Sequence, residues 1–194
     1  MRGDDIMKPT LGFALCGSFC THSDALAVMR SLADEYDIVP ITSYAVSSTD
    51  TRFGKATELK KKIVDICGRE PVEDIVEAEK FGPARPLDIM LICPCTGNTA
   101  AKLANGITDT PVTMAAKAHL RSDRPLLLAL ASNDAMSGNF QNIGRLLQRK
   151  NVYFVPLRQD DTVKKPHSLV ADFSLCKECV SLAKEDKQAR PLFR

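Results

Sequence analysis

The chain has 194 residues, of which 44% are hydrophobic and 6% aromatic, and its formal net charge is +2. These values fit one globular domain with a sizeable core, and they argue against nucleic acid as the main partner. No stretch of about 18 apolar residues occurs and the N-terminus lacks an apolar signal-peptide core, which argues against a membrane span and for a cytoplasmic protein. We expect a single domain over residues 1–194, with 1–9 and 188–194 as loose tails.

Short apolar runs alternate along the chain with longer segments whose apolar residues recur at helical spacing. The apolar runs predict strands at 11–17, 36–43, 87–94, 125–131 and 151–156. The helical spacing predicts helices after Thr21, at 55–67, after Thr96, from Pro111, around Ile143 to Leu147 and at 172–186. Thr21 and Asp24 have a capping-box-like spacing, and Thr110 precedes a proline at a first helical position. Residues 68–86 indicate only a short strand or a turn.

This alternation of strand and helix predicts a three-layer α/β/α sandwich around a mostly parallel sheet. In such folds, ligands bind at the carboxyl ends of the strands. That rule selects the loops at 17–22, 43–54, 94–99, 131–138 and 156–168.

Two of these loops carry groups that suit a phosphorylated cofactor. Gly17 lets the backbone approach a ligand closely, and Ser18 with the first helical N–H groups suits an anion, although an ordinary strand–helix turn has the same composition. Thr96 and Thr99 offer hydroxyls, and Asn98 can both donate and accept a hydrogen bond. A ligand with a phosphate at one end and a hydrogen-bonding ring at the other would bridge these loops, and nucleotides and flavins both fit.

Three cations close to the same predicted edge suit an anionic substrate. The planar guanidinium of Arg52 matches a carboxylate, and Lys164 and Lys165 follow the last predicted strand. A solvated pair of charges is the alternative interpretation of the two lysines. His119 lies in a predicted helix, and we expect it on the helix surface.

The seven cysteines are scattered, and we interpret them as reduced thiols that pack as small hydrophobic residues. Cys93 and Cys95 bracket a proline at the end of a strand, which makes chelation of one metal ion awkward, and we expect no metal site. A nucleophilic cysteine would need a nearby base, for which His22 is a candidate.

The segment Pro94-Cys95-Thr96-Gly97-Asn98-Thr99 resembles the P-x-[ST]-x-N-T motif of the FMN-binding flavoprotein family. That family includes peptidyl-cysteine and phosphopantothenoylcysteine decarboxylases and flavin prenyltransferases. Gly17-Ser18 matches its phosphate loop, and Ser43 matches a serine that ends its second strand. Longer strings, among them TDTRFGKA, TGNTAAKLANGITDTPVTMAAKAHLR and QDDTVKKPHSLVA, extend the resemblance over residues 8–185 and narrow it to one branch of the family.

The resemblance implies a flavodoxin/Rossmann-like fold, FMN as cofactor, homo-oligomeric assembly and a separate partner protein that binds a nicotinamide cofactor. The implied activity is that of an oxidoreductase, which converts a dihydropyridine dicarboxylate of the lysine pathway to the aromatic pyridine dicarboxylate in the mother cell of a sporulating bacterium. The cofactor would contact Gly17, Ser18, Thr21, Ser43, Thr96, Asn98, Thr99 and Ser132. The substrate, a compact dicarboxylate, would contact Arg52, Asn98, Lys164 and Lys165, and no acid or base is singled out.

Two alternatives stay open at the level of sequence. The chain could be a flavin-binding scaffold without turnover of its own, or it could keep the decarboxylase or prenyltransferase activity of the wider family.

Overall fold

A seven-stranded sheet forms the middle layer of the protein in a computed structural model, which is described here over residues 7–194. The strands are β1 Thr10–Leu15, β2 Asp37–Thr42, β3 Ile89–Thr96, β4 Leu126–Ser132, β5 Val152–Phe154, β6 Leu157–Asp161 and β7 Lys165–Ala171. Their order is β2-β1-β3-β4-β7-β6, and β5 also pairs with β4. The first five strands run parallel, whereas β7 is antiparallel to both β4 and β6.

Helices cover both faces of this sheet. They are α1 His22–Ala33, α2 Tyr44–Ser48, α3 Ala56–Cys67, α4 Ile75–Glu79, α5 Gly97–Ala104, α6 Pro111–Leu120, α7 Phe140–Leu147 and α8 Cys176–Lys184. Helix α1 packs beside α3 and α8 in one layer, while α6 contacts α4 and α5, and α5 contacts α7, in the other. The predicted three-layer α/β/α sandwich with a mostly parallel sheet is therefore confirmed.

The central strands form because their side chains are apolar on both faces. Every residue of β4, and every residue of β3 before Thr96, is buried, as expected for parallel strands that are covered by helices on both sides. The predicted start of α6 is also confirmed: Thr110 and Thr113 form a reciprocal capping box ahead of Pro111.

The strand order reverses direction between β1 and β3. The chain passes from β1 to β2 on one side and then crosses back to β3 on the other side of β1. Loops that follow the two strands flanking such a switch point diverge and leave a crevice at the carboxyl edge of the sheet. The loops after β1 and β3 are the two in which the sequence predicts a phosphorylated cofactor.

The structure corrects the predicted start of α1, and within 68–86 it shows a helix beside the predicted short strand. Thr21 does not cap α1 through Asp24, because its hydroxyl donates to the Ser18 carbonyl within a 3₁₀ turn over Phe19–Thr21. Within 68–86 the chain forms the helix α4, which Asp74 caps by accepting from the Glu77 N–H. A further segment at Val72 pairs with β2 and covers its edge.

The predicted loop at 156–168 is instead a β-hairpin. β6 and β7 pair antiparallel, and Lys164 and Lys165 lie at its turn rather than in an irregular loop. The hairpin escaped detection because three of the five β6 side chains are exposed and it carries no apolar run.

Two predictions about exposure are also wrong. His119 is fully buried rather than on a helix surface, and its Nε2 lies 2.8 Å from the Pro125 carbonyl oxygen. Residues 188–194 are not a loose tail, since the Arg194 N–H donates to the Leu157 carbonyl and Gln188 bonds to β5. Of the other predicted tail, residues 1–6 lie outside the described residues, while the Pro9 carbonyl accepts from the Asp37 N–H.

We expect Gln188→Ala to lower the free energy of unfolding by about 1–3 kcal/mol. The side chain accepts from the Phe154 N–H at 2.8 Å and donates to the Phe154 carbonyl at 2.7 Å, so its removal leaves both backbone groups without a partner. Urea unfolding would measure the loss. Gln148→Ala, at the exposed end of α7, is the control and should change the value by less than about 0.5 kcal/mol. Equal effects of the two substitutions would contradict the anchoring role.

Candidate functional site

A chain of hydrogen bonds joins the loop after β3 to the end of β1. The Thr96 hydroxyl accepts from the Thr99 N–H and donates to the Thr99 hydroxyl at 3.0 Å. The Thr99 hydroxyl in turn donates to the Cys16 sulfur at 3.3 Å, and the Cys16 N–H donates to the Pro94 carbonyl. Thr96 and Thr99 therefore fix the relative position of the two loops that flank the switch point. Asn98, on the exposed first turn of α5, has a side chain that forms no hydrogen bond with residues 7–194.

The loop after β1 turns sharply into α1. The Ser18 N–H donates to the Cys16 carbonyl, and the Thr21 hydroxyl and N–H both donate to the Ser18 carbonyl. An added Cβ at Gly17 would meet no atom closer than 3.4 Å, so internal packing does not by itself require a glycine at this position.

Ser43 supplies an unpartnered hydroxyl beside that loop. It follows β2, and its N–H donates to the Leu15 carbonyl at 3.0 Å, which holds it against the end of β1. Its Oγ is buried and has no hydrogen-bond partner among residues 7–194. A buried hydroxyl without a partner destabilises a fold, so the position of Ser43 at this edge calls for an explanation outside internal packing.

The loop after β4 is held together by one carboxylate. Asp134 accepts from the Ser132 hydroxyl and from the Asn139 side-chain amide, and Asn139 in turn accepts from the Asn142 amide. The hydrogen bond from Ser132, followed by that from Asn139, holds the pKa of Asp134 below its ordinary value of 3.8. The Ser132 hydroxyl hydrogen is thus committed to Asp134, which leaves the oxygen as an acceptor.

Gly97 packs directly against this carboxylate cluster. A Cβ placed there would collide with Ser132 Oγ, Asn139 Nδ2 and Asp134 Oδ1. The absence of a side chain at Gly97 therefore permits the close approach of the start of α5 to the loop after β4.

The candidate substrate cations sit on two separate elements. Arg52 lies in the Thr51–Gly54 turn beyond β2, with its guanidinium carbon 4.9 Å from the centre of the Phe53 ring. Lys164 and Lys165 lie on the hairpin, at the other end of the strand order, and Lys165 pairs with Asp160. The hydrogen bond to Asp160 and its negative charge raise the pKa of Lys165.

The cysteines and His22 do not form a nucleophile and base. Burial raises the pKa of Cys16 to about 11, with the Thr99 hydroxyl opposing it, so the group is a thiol at neutral pH. His22 Nε2 lies 2.8 Å from the Cys16 carbonyl, which can only accept, so this nitrogen carries the ring's proton.

Five of the seven cysteines are buried as predicted, whereas Cys67 is half-buried and Cys20 is exposed.

The part of the chain that the structure describes places no three His, Cys, Asp or Glu side chains as a metal site. Within the same residues, no helix is long and apolar enough to cross a bilayer.

Sequence reasoning missed the groups that position the site. The sequence predicted no role for Asp134, Asn139 or Cys16. Asp134 and Asn139 surround Ser132 and Gly97, and the Cys16 sulfur accepts a hydrogen bond from Thr99. The signal for the first two was the density of Asn, Asp and Ser in "SNDAMSGN", which is typical of loops closed by side-chain hydrogen bonds.

We expect Gly97→Ala to lower the free energy of unfolding by about 1–3 kcal/mol, because the added methyl group collides with three polar atoms of a packed loop. Gly144→Ala is the matched control, since nothing lies within 4 Å of a Cβ added there. The control should leave stability unchanged or raise it by up to about 1 kcal/mol, because alanine favours the helix. Thermal and urea unfolding measure both variants, and a neutral Gly97→Ala would contradict the packing described.

Asp134 should make stability depend on pH in the acid range. Its pKa is lowered in the folded state, so its contribution is complete above the unfolded value of 3.8 and is lost as pH falls through the lower folded value. Asp134→Asn should therefore be less stable than the wild type at pH 7, and the difference should shrink below about pH 3.8. Asp65→Asn, on the exposed side of α3, is the control. A difference that stays constant from pH 7 to pH 3 would contradict the assignment.

Comparison with known proteins agrees with this geometry. The chain is 44% identical over 183 residues to the B subunit of dipicolinate synthase from Bacillus subtilis (strain 168), which covers 94% of this chain and 92% of that protein. It is 30% identical over 111 residues to the flavin prenyltransferase UbiX of Archaeoglobus fulgidus, which covers 57% of each.

Solved structures of two related proteins share the fold of this chain. The B subunit of dipicolinate synthase from Bacillus halodurans C superposes with a TM-score of 0.89 at 40% identity, over 97% of each chain. The FMN-dependent cysteine decarboxylase SpaF shares the fold, with a TM-score of 0.65 at 21% identity over 91% of this chain and 97% of that one. The model of the Flavoprotein family matches residues 3–175. With its crevice at the β1–β3 switch point and this match over most of its length, the chain belongs to the Flavoprotein family.

Proposed function

We propose that the carboxyl edge of the sheet binds FMN. The observation that carries the proposal is the convergence of three loops at the β1–β3 switch point, where Ser43 presents a buried hydroxyl that has no partner among the described residues. FMN binding by related proteins such as SpaF supports it.

Each loop would serve one part of the cofactor. Gly17, Ser18 and Thr21 lie where α1 begins, so the helix N-terminus and Ser43 would hold the phosphate. Thr96 and Thr99 set the position of the β3 loop, from which Asn98 can donate to and accept from a flavin ring. Ser132 would offer an oxygen acceptor from the β4 loop.

We further infer that the protein is one component of a dipicolinate synthase and takes part in oxidising a dihydropyridine dicarboxylate to dipicolinate. The identity of 44% over nearly the whole length of such a component supports this inference. Bound FMN would supply a two-electron acceptor, and gain of aromaticity would drive the step. Asn98 would hold the substrate together with either Arg52 or the pair Lys164 and Lys165, which lie on separate elements at opposite ends of the strand order. The chain's contribution would be positioning and electrostatics.

The proposed function includes assembly with other chains. The relatives are named as one lettered subunit of a synthase, which supports a companion subunit, for which we infer a nicotinamide-binding role. A dodecameric structural neighbour supports a homo-oligomer of this chain. The activity would belong to the cytoplasm of the mother cell during sporulation.

One observation favours the alternative of a non-catalytic flavin-binding scaffold. The titratable groups nearest the edge are engaged: Asp134 holds Ser132 and Asn139, His22 donates to a carbonyl, and Cys16 stays protonated at neutral pH. An oxidation that the flavin drives needs no further acid or base from this chain, but neither does a scaffold.

Absorbance spectroscopy tests the cofactor. The purified protein, or the protein after incubation with FMN and gel filtration, should carry a bound flavin band in the visible range. Ser43→Ala should weaken FMN binding about 10-fold to 100-fold, the value of a hydrogen bond to a charged group. Ser48→Ala, whose hydroxyl donates to the Tyr44 carbonyl in the exposed part of α2, should bind FMN like the wild type. A protein that stays colourless under these conditions overturns the flavin assignment.

Reconstitution separates enzyme from scaffold. The companion subunit would be assayed with and without this chain while the absorbance of dipicolinate is followed, using FMN-loaded wild type and an Arg52→Gln variant. If this chain is part of the enzyme, dipicolinate should form only when the FMN-loaded chain is present, and Arg52→Gln should lower the rate. A rate that responds to the chain but not to its FMN content favours the scaffold.

A further inference from the structure

A cleft of about 180 Å³ opens beside the predicted cofactor loops and shares none of their assigned residues. It lies between the first turns of α1 and α3 and is bordered by α2 and by the Thr51–Gly54 turn. Gly17, Ser18, Ser43 and Thr96 do not line it. The cleft therefore needs an explanation of its own.

The volume limits the occupant to a small molecule. An engineered cavity of about 150 Å³ in another protein binds benzene, so a cleft of 180 Å³ holds one six-membered ring with its substituents. A flavin, a nucleotide or a peptide side chain with its backbone is too large.

The inner walls of the cleft are apolar. Leu26 of α1, Val46 of α2 and Ala56 of α3 are buried side chains that face the opening, and Leu59 extends the wall along α3. These surfaces suit the faces of a ring rather than a fully hydrated ion.

His22 supplies an imidazole ring to the lining, beside the polar residues Ser23, Thr49 and Thr51. Its side chain is 8% exposed, and its Nε2–H is used by the Cys16 carbonyl. The remaining nitrogen, Nδ1, therefore has a lone pair that accepts a hydrogen bond. Nδ1 has no hydrogen-bond partner among residues 7–194, and His22 is one of the residues that line the cleft. Burial also lowers the pKa of His22, against the opposing effect of the Cys16 carbonyl, which keeps the ring neutral.

The mouth of the cleft is net positive. Lys55 and Lys62 line it together with one carboxylate, Glu58. Neither lysine forms an ion pair with any residue in the described range. The mouth can therefore accept one negative charge.

We propose that this cleft binds a single-ring carboxylate that also carries a hydroxyl or N–H group. The ring lies against the apolar walls, the hydroxyl or N–H donates to His22 Nδ1, and the carboxylate faces Lys55 and Lys62. The proposal does not depend on FMN binding, because the two sets of residues are separate.

Calorimetric titration of the full-length protein with 3-hydroxybenzoate tests the site. We expect saturable binding, which weakens about 10-fold or more when the probe is benzoate, which lacks the donor, or phenol, which lacks the carboxylate. Lys62→Gln should weaken binding of 3-hydroxybenzoate and leave that of phenol unchanged. Lys61→Gln, the exposed neighbour that does not line the cleft, is the matched control.

A second measurement removes the dependence on variants that could misfold. In ¹⁵N-correlated spectra of the imidazole rings, 3-hydroxybenzoate should shift His22 Nδ1 and leave His119, at the far end of α6, unchanged. Ala56→Leu, which fills the cleft, should abolish the shift without changing FMN content. Absence of saturable binding, or equal effects of Lys62→Gln and Lys61→Gln, would overturn the proposal.

Discussion

The first turn of α5 is the point on which the carboxyl edge of the sheet depends. It is held from two sides: the Thr99 hydroxyl reaches back to Cys16 at the end of β1, and Gly97 packs on the Asp134 cluster after β4. Three adjacent parallel strands thus have their terminal loops fixed relative to one another by one short helix. The loops keep that relation only while residue 97 has no side chain and residue 99 has a hydroxyl.

Much of this fold could be predicted from the sequence because the parallel strands are continuous apolar runs. β3 and β4 are nearly fully buried, so their composition alone marks them. The β6–β7 hairpin could not be found in this way, since β6 is mostly exposed and nothing in its pattern separates a polar strand from a loop. The predictions for His119 and for the tail that contains Gln188 were wrong for a related reason. Each side chain leaves the exposed surface to form a hydrogen bond with a backbone group, of Pro125 for His119 and of Phe154 for Gln188. No periodic pattern in the sequence reveals such partners.

The candidate site, like the fold, could be predicted from the sequence only in part. The strand-end rule selected Gly17 and Asn98, and the family resemblance added Ser43. The structure places Gly17 and Ser43 directly after β1 and β2 and Asn98 in the first turn of α5, which follows β3. The roles of Thr96, Thr99 and Ser132 were less accessible, because their hydroxyls are engaged within the protein and their contribution is to hold loops. Cys93 and Cys95, which bracket the proline at the end of β3, are fully buried and pack as hydrophobic residues, as predicted.

β4 pairs with two different strands along one edge, with β5 beside Leu126–Leu128 and with β7 beside Ala131 and Ser132. The hairpin therefore joins the sheet only at its carboxyl end, where a further bond ties the Met136 N–H to the His167 carbonyl. Its turn can vary in length and charge without disturbing the pairing of the five parallel strands. The hairpin can therefore change the surface at the carboxyl edge of the sheet while the parallel strands and the loops after β1 and β3 stay the same.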